Sequence, residues 1–305
     1  MNFAYVCMIL FSLLIILLLA FSLIRFSANE ILAPVAKKAH LLCVQQLPAD
    51  STAIAELKAL VCAENFSGLH ESQYYITSGL IHLFVVSGAH ILLIEKLLLK
   101  FSLHRISIFT ILIIYGFACG LSAPIVRCLI AFSLSSYLKN KHIYWPPHFK
   151  LLIVGSLTLS FNYHWITSLS LQMSWIASFL VVLGTHFYKE NSILFKQSLF
   201  FITLLPSIIY FQIPSPIVII LNILLAPILE FILFPLGLLV LFFNFLNPFF
   251  ESIIYLFKIL LQHLELDYQI QIAEPSSQLI YYNWSLILIL HALFHLIYIN
   301  KKRST

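Results

Sequence analysis

Charged residues are scarce in this chain of 305 residues: only 10% are Asp, Glu, Lys or Arg, whereas 61% are hydrophobic. Soluble domains carry about 25% charged residues, and a soluble fold could not bury this much apolar surface. Glycine is also rare, with 8 residues, and no Walker-type phosphate-binding loop occurs. The chain is therefore not a soluble domain, and it has no nucleotide-binding loop of this type.

The motifs of common hydrolases are absent as well. No His-Glu-x-x-His, no clustered His-Asp motif and no Gly-x-Ser-x-Gly motif occurs, so we expect no metal site, no cofactor and no enzymatic activity. Cysteine is limited to five residues without Cys-x-x-Cys spacing or a pairing pattern. We interpret them as isolated small hydrophobic residues: Cys7, Cys43, Cys62, Cys119 and Cys128.

What the sequence does contain is a series of apolar runs long enough to cross a bilayer, which takes about 20 residues as a helix. They predict an all-α polytopic membrane protein with about nine to eleven transmembrane or re-entrant helices, some broken at Gly or Pro. After a first run at 3–26, the apolar segments lie near 78–99, 106–119, 122–138, 149–163, 165–184, 197–211, 216–233, 235–263 and 279–299.

Three regions follow from this pattern. Residues 1–26 lack the basic start of a signal peptide, and their apolar run is too long for one, so we expect an uncleaved anchor. Residues 27–75 are mixed in polarity, with apolar residues at helical spacing, which is typical of an external amphipathic or interfacial segment. Residues 76–305 form the polytopic region, in which Asn247-Pro248 is expected to interrupt one apolar segment.

The distribution of basic residues predicts the orientation. Basic residues cluster in three short loops and at the carboxy terminus, which we expect to be cytoplasmic, whereas the loop 264–278 has three acidic residues and no Lys or Arg. One segment within 216–263 must then be broken or re-entrant. The basic residues of these clusters are Lys96, Lys100, Arg105, Lys139, Lys141, Lys150, Lys189, Lys196, Lys301, Lys302 and Arg303.

Polar groups inside the apolar segments are the candidate functional residues, because such groups usually face a protein interior or a wet cavity. The first segment is 79–90, where a Ser-Gly step could break a helix and bring two histidines together. A packing role, with one interhelical hydrogen bond for each histidine, is equally compatible with the spacing. The candidates here are Gly79, His82, Ser87, Gly88 and His90.

Arg127 lies one to two turns inside an apolar segment on the expected external side, away from the basic loops. An arginine there either reaches back to the interface or serves as a placed cation, which could bind a phosphate. Two further groups are Gln172, Ser174 and Trp175 in one helix, and Asn222 with Pro227 in another. Interhelical hydrogen bonds and helix kinks explain them adequately, and lining of a cavity is the alternative.

Together these residues resemble four sequence blocks of the ComEC family of DNA-uptake proteins, in its membrane "competence" domain. The first block resembles Gly-(Leu/Thr)-x-His-Leu-Leu-Ala-Ile-Ser-Gly-x-His, matched by Gly79, His82, Leu83, Ser87, Gly88 and His90. The second resembles Gly120 to Cys128, with Arg127 on the family's arginine. The remaining two match at Gln172, Ser174, Trp175 and Ala177, and at Pro206, Asn222 and Pro227.

The resemblance implies a cytoplasmic-membrane channel that passes single-stranded DNA into the cell during natural transformation. It implies as partners the strand itself, the membrane lipids, an external DNA receptor, a cytoplasmic motor or strand-binding protein, and a separate nuclease. Residues 27–60 are too short for the OB-type domain of many members, and no metal-ligand cluster of a metallo-β-lactamase-like domain precedes Thr305. We therefore expect the membrane channel without strand-degrading activity.

A strand needs a wet path with cations for its phosphates and platforms for its bases. Arg127, Gly120 and the polar candidates would line this path, and Trp175 would offer a stacking surface. Two other functions remain open at this point: an intramembrane hydrolase built on His82, Ser87 and His90, and a transporter of small solutes or ions.

Overall fold

The computed structural model describes residues 28–64, 75, 80, 88–186, 195, 198–199, 201–204, 217–263 and 277–304, and within these ranges the chain is helical with no strand. The expected all-α class is therefore confirmed. The α-helices of the described part are α1 (Ala28–Gln46), α2 (Ile54–Cys62), α3 (Gly88–Lys100), α4 (Arg105–Ala118), α5 (Ala123–Asn140), α6 (Pro147–Phe161), α7 (Leu169–His186), α8 (Ile217–Ile228), α9 (Phe234–Val240), α10 (Asn247–His263) and α11 (Ser277–Ser304).

Three helical stretches of the described part are long and apolar enough to cross a membrane: Ile219–Val240, Asn244–His263 and Ser277–Tyr298. The first of them joins α8 to α9 through a π-helical turn at Leu229–Leu233. Shorter apolar helices are α4, α6 and the first part of α7. The chain is thus a membrane protein, and the expected count of about nine to eleven spans stays a prediction.

The described residues divide into two compact units. The first unit comprises residues up to Leu32, Ile130–Lys189 and Pro275–Thr305, so its main helices are α6, α7 and α11. The second unit comprises Ala33–Leu129 and Glu190–Glu274, with α2, α3, α4, α9 and α10.

Close packing in the first unit depends on a glycine. A side chain at Gly155 of α6 would overlap the indole ring of Trp175 of α7, so only glycine lets these two helices approach this closely. Pro147, whose missing N–H is not needed at a helix start, begins α6 after Pro146. At the other end, the side chain of Asn162 accepts a hydrogen bond from the His164 N–H and starts a 3-10 turn at Tyr163–Thr167.

The amino-terminal helices of the second unit are joined by a disulfide bond between Cys43 of α1 and Cys62 of α2, whose Cα atoms are 5.9 Å apart. Our interpretation of these two cysteines as isolated hydrophobic residues was wrong. Nineteen positions separate them in sequence, without a recognisable motif, and only the packing of α1 on α2 brings them together. Cys119 and Cys128 are free and buried, in agreement with the expectation for them.

Helix α2 lies in the interior of the second unit. The expected helix is confirmed, but its apolar residues Leu57, Leu60 and Val61 are fully buried in protein, so this helix does not present them to a membrane surface. Glu56 of the same helix is also fully buried and forms an ion pair with Lys258 of α10, with 2.9 Å between Oε1 and Nζ. A buried charge needs such a partner, since desolvation without one is costly.

A second contact ties the start of α2 to the start of α10. The Ser51 hydroxyl donates to Glu251 Oε1 at 2.9 Å, and the Thr52 N–H donates to the same oxygen at 2.7 Å. Helix α10 begins at Asn247-Pro248, after a turn that follows Val240, so the expected interruption of the apolar segment at this dipeptide is confirmed.

Candidate functional site

The second unit brings together residues from the first two sequence blocks. Gly88 is the first residue of α3, and Arg127 and Cys128 lie in the second turn of α5. A Cβ atom at Gly88 would overlap Cys128 Sγ and lie 3.7 Å from Arg127 Nη2, which places the guanidinium directly against the start of α3. Arg127 is 8% exposed, and its Nη2 lies 3.8 Å from Cys128 Sγ. The glycine and the arginine of the two blocks therefore depend on each other's position.

His90 lies two residues further along α3, buried at 1% exposure. Its imidazole packs against the ring of Phe234, with 4.2 Å between ring centroids. The Tyr115 ring of α4 also lies near Phe234, with 6.3 Å between ring centroids, and the Tyr115 hydroxyl donates to the Val61 carbonyl at 3.1 Å. Three helices thus meet around one aromatic ring next to the candidate histidine.

Gly120 has a conformational role. Its φ of +69° lies in the left-handed region, and it forms the tight turn between α4 and α5. Among the residues that the structure describes, no atom lies within 4 Å of the position that a Cβ would take, so the backbone angle explains the glycine. This turn sets where α5 begins and therefore where Arg127 lies.

Asn222 and Pro227 of the fourth block lie on α8, in the first part of the first candidate span, whereas Pro206 lies outside the described residues. Asn222 is half-buried, and its Oδ1 is buried without a hydrogen-bond partner among the described residues. Pro227 is exposed and precedes the π-helical turn Leu229–Leu233, which in turn precedes Phe234. The proline thus acts on the geometry of the helix rather than through a contact of its own.

The structure does not describe three of the candidates. Gly79, His82 and Ser87 lie outside the described residues, so whether the two histidines converge at the Ser-Gly step stays a prediction.

The third block lies in the first unit, where it forms interhelical hydrogen bonds. Gln172 is fully buried, and its Oε1 accepts a hydrogen bond from Asn283 Nδ2 of α11 at 3.1 Å. Its Nε2 donates to the Ile166 carbonyl at 3.2 Å, an oxygen that also accepts from Trp284 Nε1 at 2.8 Å. Gln172 therefore forms the interhelical hydrogen bond that was one of its two expected roles. Its other expected role, in lining a path, stays a prediction.

Trp175 is enclosed at 1% exposure, with its indole N–H donating to His291 Nε2 at 3.3 Å. The Trp284 ring packs edge-on at 5.6 Å, and Gly155 lies against the indole. A nucleobase could stack on Trp175 only if these neighbours moved, so its stacking role stays a prediction that this arrangement does not support. Ser174, one position earlier, is half-buried.

Sequence reasoning missed the partners on α11. His148 of α6 lies 3.2 Å from His295 through ring nitrogens, and this pair extends the row of polar contacts along α11. The sequence did contain a pattern that could have predicted these partners. Asn283, His291 and His295 are separated by eight and four positions, a spacing that places them on one face of a helix. Phe234 and Cys128 were also missed, since an apolar residue in an apolar helix gives no such signal.

The two units offer different chemistry. In the second unit, the Arg127 guanidinium lies against the first residue of α3, and the His90 imidazole lies two residues further along the same helix. A guanidinium suits binding of an anionic oxygen such as a phosphate. In the first unit, amide, indole and imidazole groups bond mainly to one another across helices. Among the described residues, no group of three or more His, Cys, Asp or Glu side chains is arranged to hold a metal ion.

Comparison with known proteins gives one match. A family model described as "Competence protein" matches residues 67–302, which include every candidate residue but neither α1 nor α2. No curated protein and no solved structure matches the chain.

Proposed function

Because the chain belongs to the competence protein family, which indicates a role in DNA uptake, we propose that it forms the cytoplasmic-membrane channel for incoming single-stranded DNA during natural transformation. The family membership confirms the resemblance seen in the sequence blocks. The channel function itself goes further and is supported by the arrangement in the second unit.

The observation that carries the proposal is the contact between the first two blocks. Residues separated by about forty positions in sequence meet so closely that a Cβ atom at Gly88 would overlap Cys128 Sγ and lie 3.7 Å from Arg127 Nη2. A guanidinium inside a membrane protein is costly to bury, and such groups are typical of substrate and ion pathways. A strand carries one negative charge per nucleotide, and guanidinium binds phosphate oxygens in a bidentate way.

We place the carboxy terminus and the basic loops in the cytoplasm and residues 27–75 outside. The disulfide Cys43–Cys62 supports this orientation, because disulfides persist in oxidising compartments and are rare in the cytosol. The basic residues at the end of α3 and the start of α4, such as Lys100 and Arg105, support it independently through the positive-inside rule.

The proposal assigns transport and no catalysis to this chain. The sequence has no nucleotide-binding loop of the Walker type, so a cytoplasmic motor or strand-binding protein would supply the energy. An external receptor would deliver the DNA, and a separate nuclease would degrade the second strand.

A deletion strain tests the proposal. Cells without the gene should still bind external DNA and protect it on the cell surface, but should give few or no transformants, and a plasmid copy should restore them. Transformation at the wild-type frequency in the deletion strain would refute the channel. Hydrolysis of a peptide or lipid by the purified protein, lost in Ser87→Ala, would instead favour an enzyme, and DNA-insensitive solute uptake into liposomes would favour a transporter.

A further inference from the structure

The span Ile219–Val240 contains a π-helical turn between two prolines. The N–H of Phe234 bonds to the carbonyl of Leu229, five residues back instead of four. Pro227 and Pro235 cannot donate a backbone hydrogen bond, so the helix between them is not held to α-helical spacing at either end. A π-helical turn accommodates one additional residue, and such turns are frequent at functional sites.

This additional residue aligns the buried face of the span. On an uninterrupted α-helix with about 100° per residue, the buried positions would spread over about 220° of the helix circumference. Subtracting one residue for the turn brings them within about 120°, which is one face. These positions are Leu221 and Leu225 before the turn, Leu229 and Leu233 at its two ends, and Phe234, Gly237 and Val240 after it.

The turn also determines which residue meets the candidate histidine. Phe234 is fully buried and fills the space between α3 and α4, with its ring 4.2 Å from His90 and 6.3 Å from Tyr115. If the helix adopted α-helical spacing, Phe234 would rotate by about 100° away from α3. The ring next to His90 therefore depends on the π-helical turn.

We propose that Phe234 is the gate residue of the channel and that the π-helical turn is its hinge. This inference rests on the proposed function, since it assumes that the path passes His90 and Arg127. With Phe234 against His90, the path is filled by an aromatic ring and excludes water and ions, as hydrophobic constrictions do. Conversion of the turn to α-helical spacing withdraws the ring and opens a wet path for the strand.

Cys128 is a native reporter for this gate. It is a free cysteine, 8% exposed, next to Gly88 and Arg127. In a chain with Cys7 and Cys119 replaced by Ser, a charged methanethiosulfonate reagent added outside intact cells should modify Cys128 only when the path is wet. Wild-type Phe234 should give slow modification, and Phe234→Ala should accelerate it at least tenfold.

Phe231→Ala is the matched control. Phe231 belongs to the same turn but is 62% exposed, so its loss should leave the modification rate of Cys128 unchanged. Phe234→Met should also keep the slow rate, because a large apolar side chain still excludes water. If Phe234→Ala does not accumulate in the membrane, Phe234→Val replaces it in the same comparison with a smaller loss of volume.

A second reporter separates a gate from general loosening. In a chain that keeps Cys119 but has Ser at 7 and 128, Phe234→Ala should leave Cys119 unmodified, because this thiol is buried against the Val61 carbonyl. Equal modification of both reporters, or no acceleration at Cys128, would refute the gate. The labelling experiment requires no DNA and is therefore independent of the deletion experiment. If the deletion strain gives no transformants but Phe234→Ala does not accelerate labelling of Cys128, the gate is refuted and the channel is not.

Discussion

Substitution of Gly88 tests whether the contact between α3 and α5 has the importance assigned to it. In Gly88→Ala, the new Cβ overlaps Cys128 Sγ and lies at an ordinary contact distance of 3.7 Å from Arg127 Nη2. Overpacking of this kind costs about 1 to 3 kcal/mol. A cost of about 1.4 kcal/mol reduces the ratio of folded to unfolded protein tenfold.

Cys128→Ala should relieve this cost, because it removes the sulfur atom that the new methyl group overlaps. Alone, Cys128→Ala should destabilise by about 1 kcal/mol through the small void that it leaves. The double variant should be no less stable than Cys128→Ala, so the two substitutions should couple by about 1 to 3 kcal/mol. The measurements are the unfolding temperature in detergent, the abundance in the membrane and the transformation frequency.

Gly120→Ala is the control, since it adds the same methyl group in open space. Its cost of about 1 to 2 kcal/mol comes from the φ of +69° and should be the same with Cys or Ala at 128. Additive effects of Gly88→Ala and Cys128→Ala would refute the contact as described. Full rescue of stability without rescue of transformation would show instead that Cys128 has a role beyond packing.

Three further predictions concern other contacts. Arg127→Lys should keep partial DNA uptake and Arg127→Gln almost none at unchanged abundance, because ammonium binds phosphate less specifically than guanidinium; full transformation in Arg127→Gln would remove Arg127 from the path. Cys43→Ser and Cys62→Ser should each destabilise by about 3 kcal/mol, and the double variant should match either one; a thiol-alkylation gel shift checks the bond, and equal shifts with and without reductant would contradict it. Gln172→Leu and Asn283→Leu should each cost about 1 to 2 kcal/mol in thermal unfolding, with less than additive loss in the double variant; additivity would mean that the two amides do not interact.

The helical class and several element ends could be predicted from the sequence because they depend on local chemistry. The turn at Cys119-Gly120 and the helix start at Asn247-Pro248 follow from residues that favour a left-handed angle or lack a backbone N–H. The four sequence blocks predicted the family, but the contact of Gly88 with Arg127 and Cys128 was not predicted.

The remaining contacts depend on packing between distant segments. The partner of Cys43 is set by how α1 lies on α2, and the partner of Trp175 is set by the register of α11 against α7. The contact of Phe234 with His90 was not predicted. It depends on the additional residue in the π-helical turn, which rotates Phe234 toward α3, and the apolar pattern of the sequence does not show where such a turn occurs. Sequence therefore indicates polar candidates, whereas their apolar neighbours emerge only from the structure.

The last prediction concerns the orientation of the second unit in the membrane. Val61, next to the disulfide, packs against Gly237 of α9, and Phe234 lies one turn below Gly237 and contacts His90. Gly88 and Arg127 are therefore near the disulfide end, whereas Lys100 lies about 18 Å further along α3. Since a disulfide indicates the oxidising side and clustered lysines the cytoplasmic side, two independent rules assign the same orientation.

Single cysteines at exposed positions should show this orientation directly. Thr52→Cys, in the turn before α2, should react with a membrane-impermeant maleimide in intact cells, whereas Lys100→Cys should react only after the cells are opened. Both variants should be made with the other free cysteines replaced by Ser and with Cys43 and Cys62 kept. The reverse pattern would place Arg127 at the cytoplasmic end of its helix, where it could not be the first cation that an incoming strand meets.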